Sequence, residues 1–403
     1  MRRGCFTEPV PKSPGNGQRG LLFTAFEPSG DEHAAWVIAE LKRRYPALPI
    51  YAWGGPRMEQ AGATIVERTG DDAVMGMPGL KKILEHQRIN QRVETWLAKH
   101  PVRALIPVDS PAANGPLCEI AKERGLKVIH LIAPQIWAWG RWRIHKLRRL
   151  TDLVLCVLPF EASFFERRRV PARFIGHFLF DQTRDAAELD RRCATFGDGR
   201  PKIAMMPGSR PDELERHFPV LLSAYATLAK MYPGASGVVA ATSDSVAAGL
   251  RRMAEARGGW PEGLKIVVRD TDAVIHWCDL ALVKSGTVTL QVAKGRKPMV
   301  VFYKKANPVL FLMARAVLST RVFSLPNVLA RARIVPELIP HYGGAGPIVQ
   351  AANKLLADPV AVQHQLHEID RILEPFRGRN AASQAADAIE EVLGLRGAAA
   401  HAA

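Results

Sequence analysis

Three near-continuous apolar runs most constrain what this chain can fold into: RALIPVD (103–109), KVIHLIAP (127–134) and DLVLCVLPF (152–160). A strand with one face in water alternates apolar and polar residues, and these do not. They read as strands buried on both faces, the pattern of a parallel sheet packed between helices. GLLFTAF (20–26) opens the series. Helical stretches separate the strands, at 31–45, within 78–99, at 114–124 and at 141–149.

A second series follows: KIAMMPGSR (202–210), a helix over 212–231, GVVAATS (237–243), a helix over 245–256, KIVVRD (265–270), LALVKSG (280–286), a helix over 287–294 and PMVVFYK (298–304), with a helical tail from about 346. The polar stretch between the series, DQTRDAAELDRRCATFGDGRP (181–201), reads as a linker. At 403 residues the chain exceeds one ordinary core. The expectation is an α/β protein of two Rossmann-like doubly wound domains facing a cleft, with ligands at the carboxyl ends of the strands. The boundaries read as a disordered leader at 1–19, domains at 20–190 and 200–375, and a C-terminal helix with a frayed tail at 376–403.

Lys and Arg outnumber Asp and Glu by 55 to 39, a net charge of +16 that favours acidic partners without choosing among nucleic acid, anionic lipid and phosphorylated substrates. Five scattered cysteines with no CxxC spacing argue against a disulfide framework or zinc site and suit a reducing compartment. The basic, Pro- and Gly-rich start has no apolar core and is not a secretory signal. No run of about 18 apolar residues spans a membrane, so any membrane role is peripheral.

Four strand ends carry candidate chemistry. In FEPSGDEH, Glu27, Ser29, Gly30 and Asp31 form a tight strand-to-helix turn, which could equally be a well-capped loop. In PVDSPAANG, Asp109 follows an apolar strand directly, where partial desolvation raises a carboxyl pKa towards that of a general base; capping the next helix is the competing role. In MMPGSRPDEL, Ser209 and Arg210 at a helix start suit a phosphate, although Arg210 could instead pair with Asp212 or Glu213. In KSGTVTLQ, Ser285, Gly286 and Thr287 offer hydroxyls and backbone N–H groups to an anion, and Gln291 an amide to a hydroxyl. There is no GxxxxGK[ST] or GxGxxG fingerprint. Val74, Met75, Met77, Leu80, Ile83 and Leu84 beside Lys81 and Lys82 make an apolar, cation-edged stretch suited to a membrane interface or to an amphipathic core helix. IWAWGRWRIHKLRRLTD (136–152) interleaves tryptophans with cations and fits nucleic acid, a lipid headgroup or a phosphosugar. His130, His145 and His177 lack metal-ligand spacing, and no metal is expected.

The motifs EPSGD, GGPRMEQAG, AVMGMPGL, VDSPAAN, IAPQIWAWGRWRIHKLRRLTDLVLCVLPFE, FIGHF, PGSRPDEL, SGTVTLQ and SLPNVLA occur in an order that resembles the lipid-A-disaccharide synthase family over about residues 20–375. The resemblance implies a GT-B glycosyltransferase, peripheral on the cytoplasmic face of the inner membrane, with no cofactor or metal. It would transfer 2,3-diacylglucosamine from UDP to 2,3-diacylglucosamine 1-phosphate (lipid X), with inversion, giving a β-1,6 disaccharide phosphate and UDP. By the same resemblance Asp109 is the base and Arg210 lies by the donor diphosphate. Ser285, Gly286, Thr287 and Asn327 are nucleotide-side positions, and Glu27, Ser29, Gly30 and Asp31 lie on the acceptor side. It also implies a homodimer and the anionic membrane surface as a partner, while the nucleotide-type turns give no reason to expect nucleic acid. Ala112, Phe26 and Gln291 stand where the family usually has Asp, Gly and Glu. Gln291→Glu is accordingly expected to keep or improve donor affinity, and Gln291→Leu to weaken it. Another UDP-sugar enzyme of the same fold, such as an epimerase, and a non-catalytic nucleotide- or membrane-binding relative are the alternatives.

Overall fold

The computed structural model describes residues 19–69, 80–304 and 318–395, with the side chains of 80–86 excepted. The leader up to residue 18 and the tail from 396 lie outside the described residues. The chain forms two compact units, one of Met1–Asp181 with Gly378–Ala403, the other of Gln182–Arg377.

In the first unit β1 (Gly20–Thr24), β2 (Ile50–Gly54), β3 (Thr64–Arg68), β4 (Val102–Pro107), β5 (Lys127–Leu131), β6 (Leu153–Cys156) and β7 (Ala172–Phe174) lie in the order β3-β2-β1-β4-β5-β6-β7. Every pairing is parallel. Leu21–Phe23, Ala104–Ile106 and Val154–Cys156 are fully buried, as continuous apolar runs require, whereas β3 and β7 at the edges are not. From β1 the chain lays down β2 and β3 on one side, then returns to place β4 on the other. The strand order therefore reverses between β1 and β4, with Thr24 paired to Pro107. That reversal opens a crevice at the carboxyl ends.

The second unit repeats this logic with β8 (Lys202–Met206), β9 (Ser236–Ala241), β10 (Leu264–Val268), β11 (Leu280–Lys284), β12 (Met299–Lys304) and β13 (Glu337–His341), in the order β10-β9-β8-β11-β12-β13. All of these pair in parallel. The order reverses between β8 and β11, where Met206 pairs with Val283.

Two boundaries differ from the sequence reading. The stretch read as a linker holds a helix, Ala186–Cys193, that is part of the second unit. Its Leu189 is buried and its Arg192 Nε donates to Asp270 at 2.8 Å. The polar residues suggested solvent exposure, but they cover one face of a helix whose other face packs. The last helix, Ala381–Leu393, belongs to the first unit. The Asp181 carboxylate accepts the N–H groups of Ala381 and Ala382 at 2.8 and 3.0 Å, and Arg44 Nη1 reaches Asp387 and Glu390, each at 2.8 Å.

Candidate active site

The motifs singled out at four strand ends fall at the two reversals. In the first unit EPSGD follows β1 and VDSPAAN follows β4. Asp109 and Ser110 both have positive φ, 46° and 38°, a left-handed conformation that β-substituted residues seldom adopt. Asn114 holds the turn: its Nδ2 donates to the carbonyls of Val108 and Asp109, both at 3.0 Å, and its Oδ1 accepts from Thr24 Oγ1 at 2.7 Å. Ser110 Oγ donates to Glu27 Oε1 at 3.0 Å, tying the two motifs together. Asp109 does not cap the following helix, which begins at Pro111. Burial pushes its carboxyl pKa up and the nearby Glu27 charge adds to this, against a backbone hydrogen bond from Ser110. A half-buried carboxylate held above its ordinary range at a switch point suits proton abstraction.

Two expected acceptor-side residues have structural work. Gly30 lets the helix Pro28–Arg44 approach the strands, because a Cβ there would meet Ala25 Cβ at 3.1 Å. Asp31 is buried, and its carboxylate accepts the N–H groups of Gly55, Arg57 and Met58 at 2.9, 3.0 and 3.0 Å. It caps the helix Pro56–Gln60. Glu27 is half-buried and Ser29 exposed at the end of β1.

In the second unit Gly208 (φ 116°) turns the chain after β8, and Ser209 and Arg210 stand exposed. Arg210 Nη1 lies 3.3 Å from Glu213 Oε1, the pairing foreseen as an alternative, yet half its side chain is exposed. Lys284, at the end of β11, bonds the same Glu213 oxygen at 2.8 Å. Burial raises the Glu213 pKa, but Lys284 and Arg210 outweigh it and hold the carboxyl below its ordinary value. One buried carboxylate thus gathers two cations beside Ser285, Gly286 and exposed Thr287. Ser285 and Thr287 make no side-chain hydrogen bond among the described residues.

The amides of two expected nucleotide-side residues are engaged within the fold. Asn327 is fully buried: its Nδ2 donates to Val335 O and Glu337 Oε2, and its Oδ1 accepts from Ile334 and Val335 N–H. All four hydrogen bonds of the amide are therefore spent on the loop before β13 and on its first residue, Glu337. Gln291 Nε2 donates to Asp272 Oδ1 at 2.7 Å, and Asp272 also receives Arg184 at 2.6 Å. The amide thus faces a carboxylate, and Gln291→Glu would set a second negative charge beside Asp272.

A cavity of about 620 Å³ near Arg88, Trp96 and His100 lies elsewhere. Trp96 and His100 pack on Tyr51 near the start of β2, at the amino end of the sheet. Among the described residues no group of three His, Cys, Asp or Glu side chains could hold a metal, and no helix is long and apolar enough to cross a membrane. Val74, Met75 and Met77 lie outside the described residues, as do the side chains of Leu80, Lys81, Lys82, Ile83 and Leu84.

Residues 21–389 match the family model described as lipid-A-disaccharide synthetase. The chain belongs to that family. It is 31% identical over 387 residues to the lipid-A-disaccharide synthase of Geobacter sulfurreducens, covering 94% of this chain and 98% of that protein. It is 35% identical over 382 residues to that of Anaeromyxobacter dehalogenans strain 2CP-1, with 93% and 97% covered. Solved structures agree on the GT-B fold. S. aureus MnaA in its UDP co-structure superposes with a TM-score of 0.64 at 12% identity, covering 94% of this chain and 98% of that one. The glycotransferase of kitacinnamycin gives 0.59 at 16% identity, covering 93% and 99%.

Within this lipid-A-disaccharide synthetase family member, two residues near these loops escaped the sequence reading. Lys284 carried a signal, a charge ending an apolar strand. Glu213 stood in view as the Arg210 partner. Glu161 did not stand out: it is 1% exposed, accepts from Trp137 Nε1 at 2.9 Å and Leu158 N–H at 3.0 Å, and lies close enough to Asp109 to feel its charge. Burial above all lifts its pKa to about 7.

Proposed function

We propose that this chain transfers a 2,3-diacylglucosaminyl group from UDP to the 6-hydroxyl of 2,3-diacylglucosamine 1-phosphate, releasing UDP. Family membership supports the reaction class, and the Asp109 turn is the observation that carries the mechanism. Asp109 takes the proton of the acceptor 6-hydroxyl as that oxygen attacks C1 of the donor sugar. The bond from C1 to the diphosphate oxygen breaks, its electron pair leaves with UDP, and the configuration at C1 inverts. Arg210 and Lys284 place positive charge where the leaving diphosphate gains negative charge, so the reading invokes no metal. Ser285 and Thr287 supply hydroxyls to the same phosphates.

Acylated substrates reside in a bilayer, which the apolar, cation-edged segment around residues 74–84 would meet at the cytoplasmic face of the inner membrane. A homodimer belongs to the same reading, checked by light scattering.

The test is UDP release from UDP-2,3-diacylglucosamine in the presence of lipid X. Asp109→Asn is expected to lower kcat by roughly 10²–10⁴-fold while leaving UDP affinity unchanged. Wild-type turnover no greater than that of Asp109→Asn would sink the enzymatic reading and leave a non-catalytic UDP-binding relative.

A further inference from the structure

A surface of the first unit stands outside the site described so far. The turn Arg141–Arg143 leads into the helix Ile144–Leu150, and it exposes Trp142 by 65% and Trp139 by 46%. Trp139 is propped outward: the Arg143 guanidinium lies 3.8 Å over its ring and donates to its carbonyl at 3.0 Å. A tertiary contact then brings a second basic segment alongside. Arg148 Nε and Nη2 donate to the carbonyl of Arg168 at 3.0 and 2.6 Å. The Arg168 pKa is lowered by burial first and then by Arg141 and Arg167, so these cations are close in space.

Arg141, Arg148, Arg167 and Arg169 are all exposed, and no Asp or Glu occurs from Pro134 to Thr151. Glu119 offsets only Lys146 and Arg149. Like charges gathered this way repel one another unless an opposing surface meets them. Exposed indoles among cations match the headgroup layer of an anionic bilayer, which accepts an apolar ring with a polar edge and attracts each cation. Single-stranded nucleic acid also stacks on aromatics, but one face of Trp139 is already taken by Arg143.

We propose that this face is a lipid-docking surface: Trp139 and Trp142 enter the headgroup layer of an anionic bilayer while Arg141, Arg148, Arg167 and Arg169 meet its phosphates. The choice of lipid rests on the proposed function, whose substrates are acylated.

The test uses the full chain and phosphatidylcholine vesicles with or without phosphatidylglycerol. Each basic residue near such a surface is worth roughly fivefold in partitioning, so R141E with R167E is expected to weaken binding to the anionic vesicles by roughly thirtyfold or more. Brominated lipid is expected to quench wild-type tryptophan fluorescence more than that of W142A. Thermal melts confirm folding, and turnover of substrates in neutral detergent micelles is expected to be unchanged in these variants. Normal turnover with vesicle binding and quenching unaffected by either variant would overturn the docking surface. So would a defect of R141E with R167E confined to binding single-stranded RNA. A wild type inactive in micelles, yet bound to anionic vesicles through these residues, would refute the proposed reaction and support the surface.

Discussion

The turn at Asp109 and Ser110 is held against its own preference. Left-handed backbone costs a residue with a Cβ about 1–2 kcal/mol, and Asn114 offsets this with bonds to two carbonyls of the turn and one to Thr24. Asn114→Ala is expected to lower stability by about 1–3 kcal/mol and to lower kcat more than it raises KM. Denaturant melts and steady-state kinetics check this, and an activity loss no larger than the unfolded fraction would refute a positioning role. Asp109 at a strand end was legible in the sequence, but its backbone conformation was not, because Thr24 lies 90 residues from Asn114. Gln291 makes the same point. Gln291→Glu would set a carboxylate within hydrogen-bond reach of Asp272, so it is expected to lower the melting temperature at neutral pH. Adding Asp272→Asn is expected to restore it; two losses that simply add would show that the residues do not interact.

Among the elements, the short helix Pro159–Glu166 carries the least expected feature. Glu161 in its first turn accepts from the Leu158 N–H and the Trp137 indole, and its carboxyl is buried. Its folded pKa, about 7, lies above the ordinary 4.5. The folded state therefore favours the protonated form, and this contribution is complete below about 4.5 and lost as pH rises through about 7. Across that range the wild type is expected to lose melting temperature relative to Glu161→Gln as pH rises, because the amide has no proton to lose; parallel curves would refute the shifted pKa. Sequence reasoning finds such helices and strands from their apolar periodicity. It mistook Ala186–Cys193 for a linker because one buried leucine in eight residues leaves little periodicity to read.

At the scale of the whole molecule, the chain leaves the first unit at Asp181 and returns at Gly378. Asp181 caps the returning helix, whose Ala381, Ala385, Ala388 and Ile389 are completely buried. Deleting residues 378–403 is therefore expected to raise hydrogen exchange in β1, β4 and β5 while leaving β8 and β11 protected. Equal loss of protection in both units would contradict the division. The sequence by itself determined the two doubly wound sheets and the four loops at their reversals. Burial on both faces imposes unbroken apolar runs, and parallel strands restrict how the chain can cross between them. Only the tertiary structure decided which polar residues in those loops are turned to holding the fold. Asp31 and Asn327 take their hydrogen bonds from backbone groups that folding brings to them, and Lys284 joins Arg210 through the Glu213 carboxylate. A buried polar group must be paired, and its partner is set by the packing of elements rather than by the local order of residues.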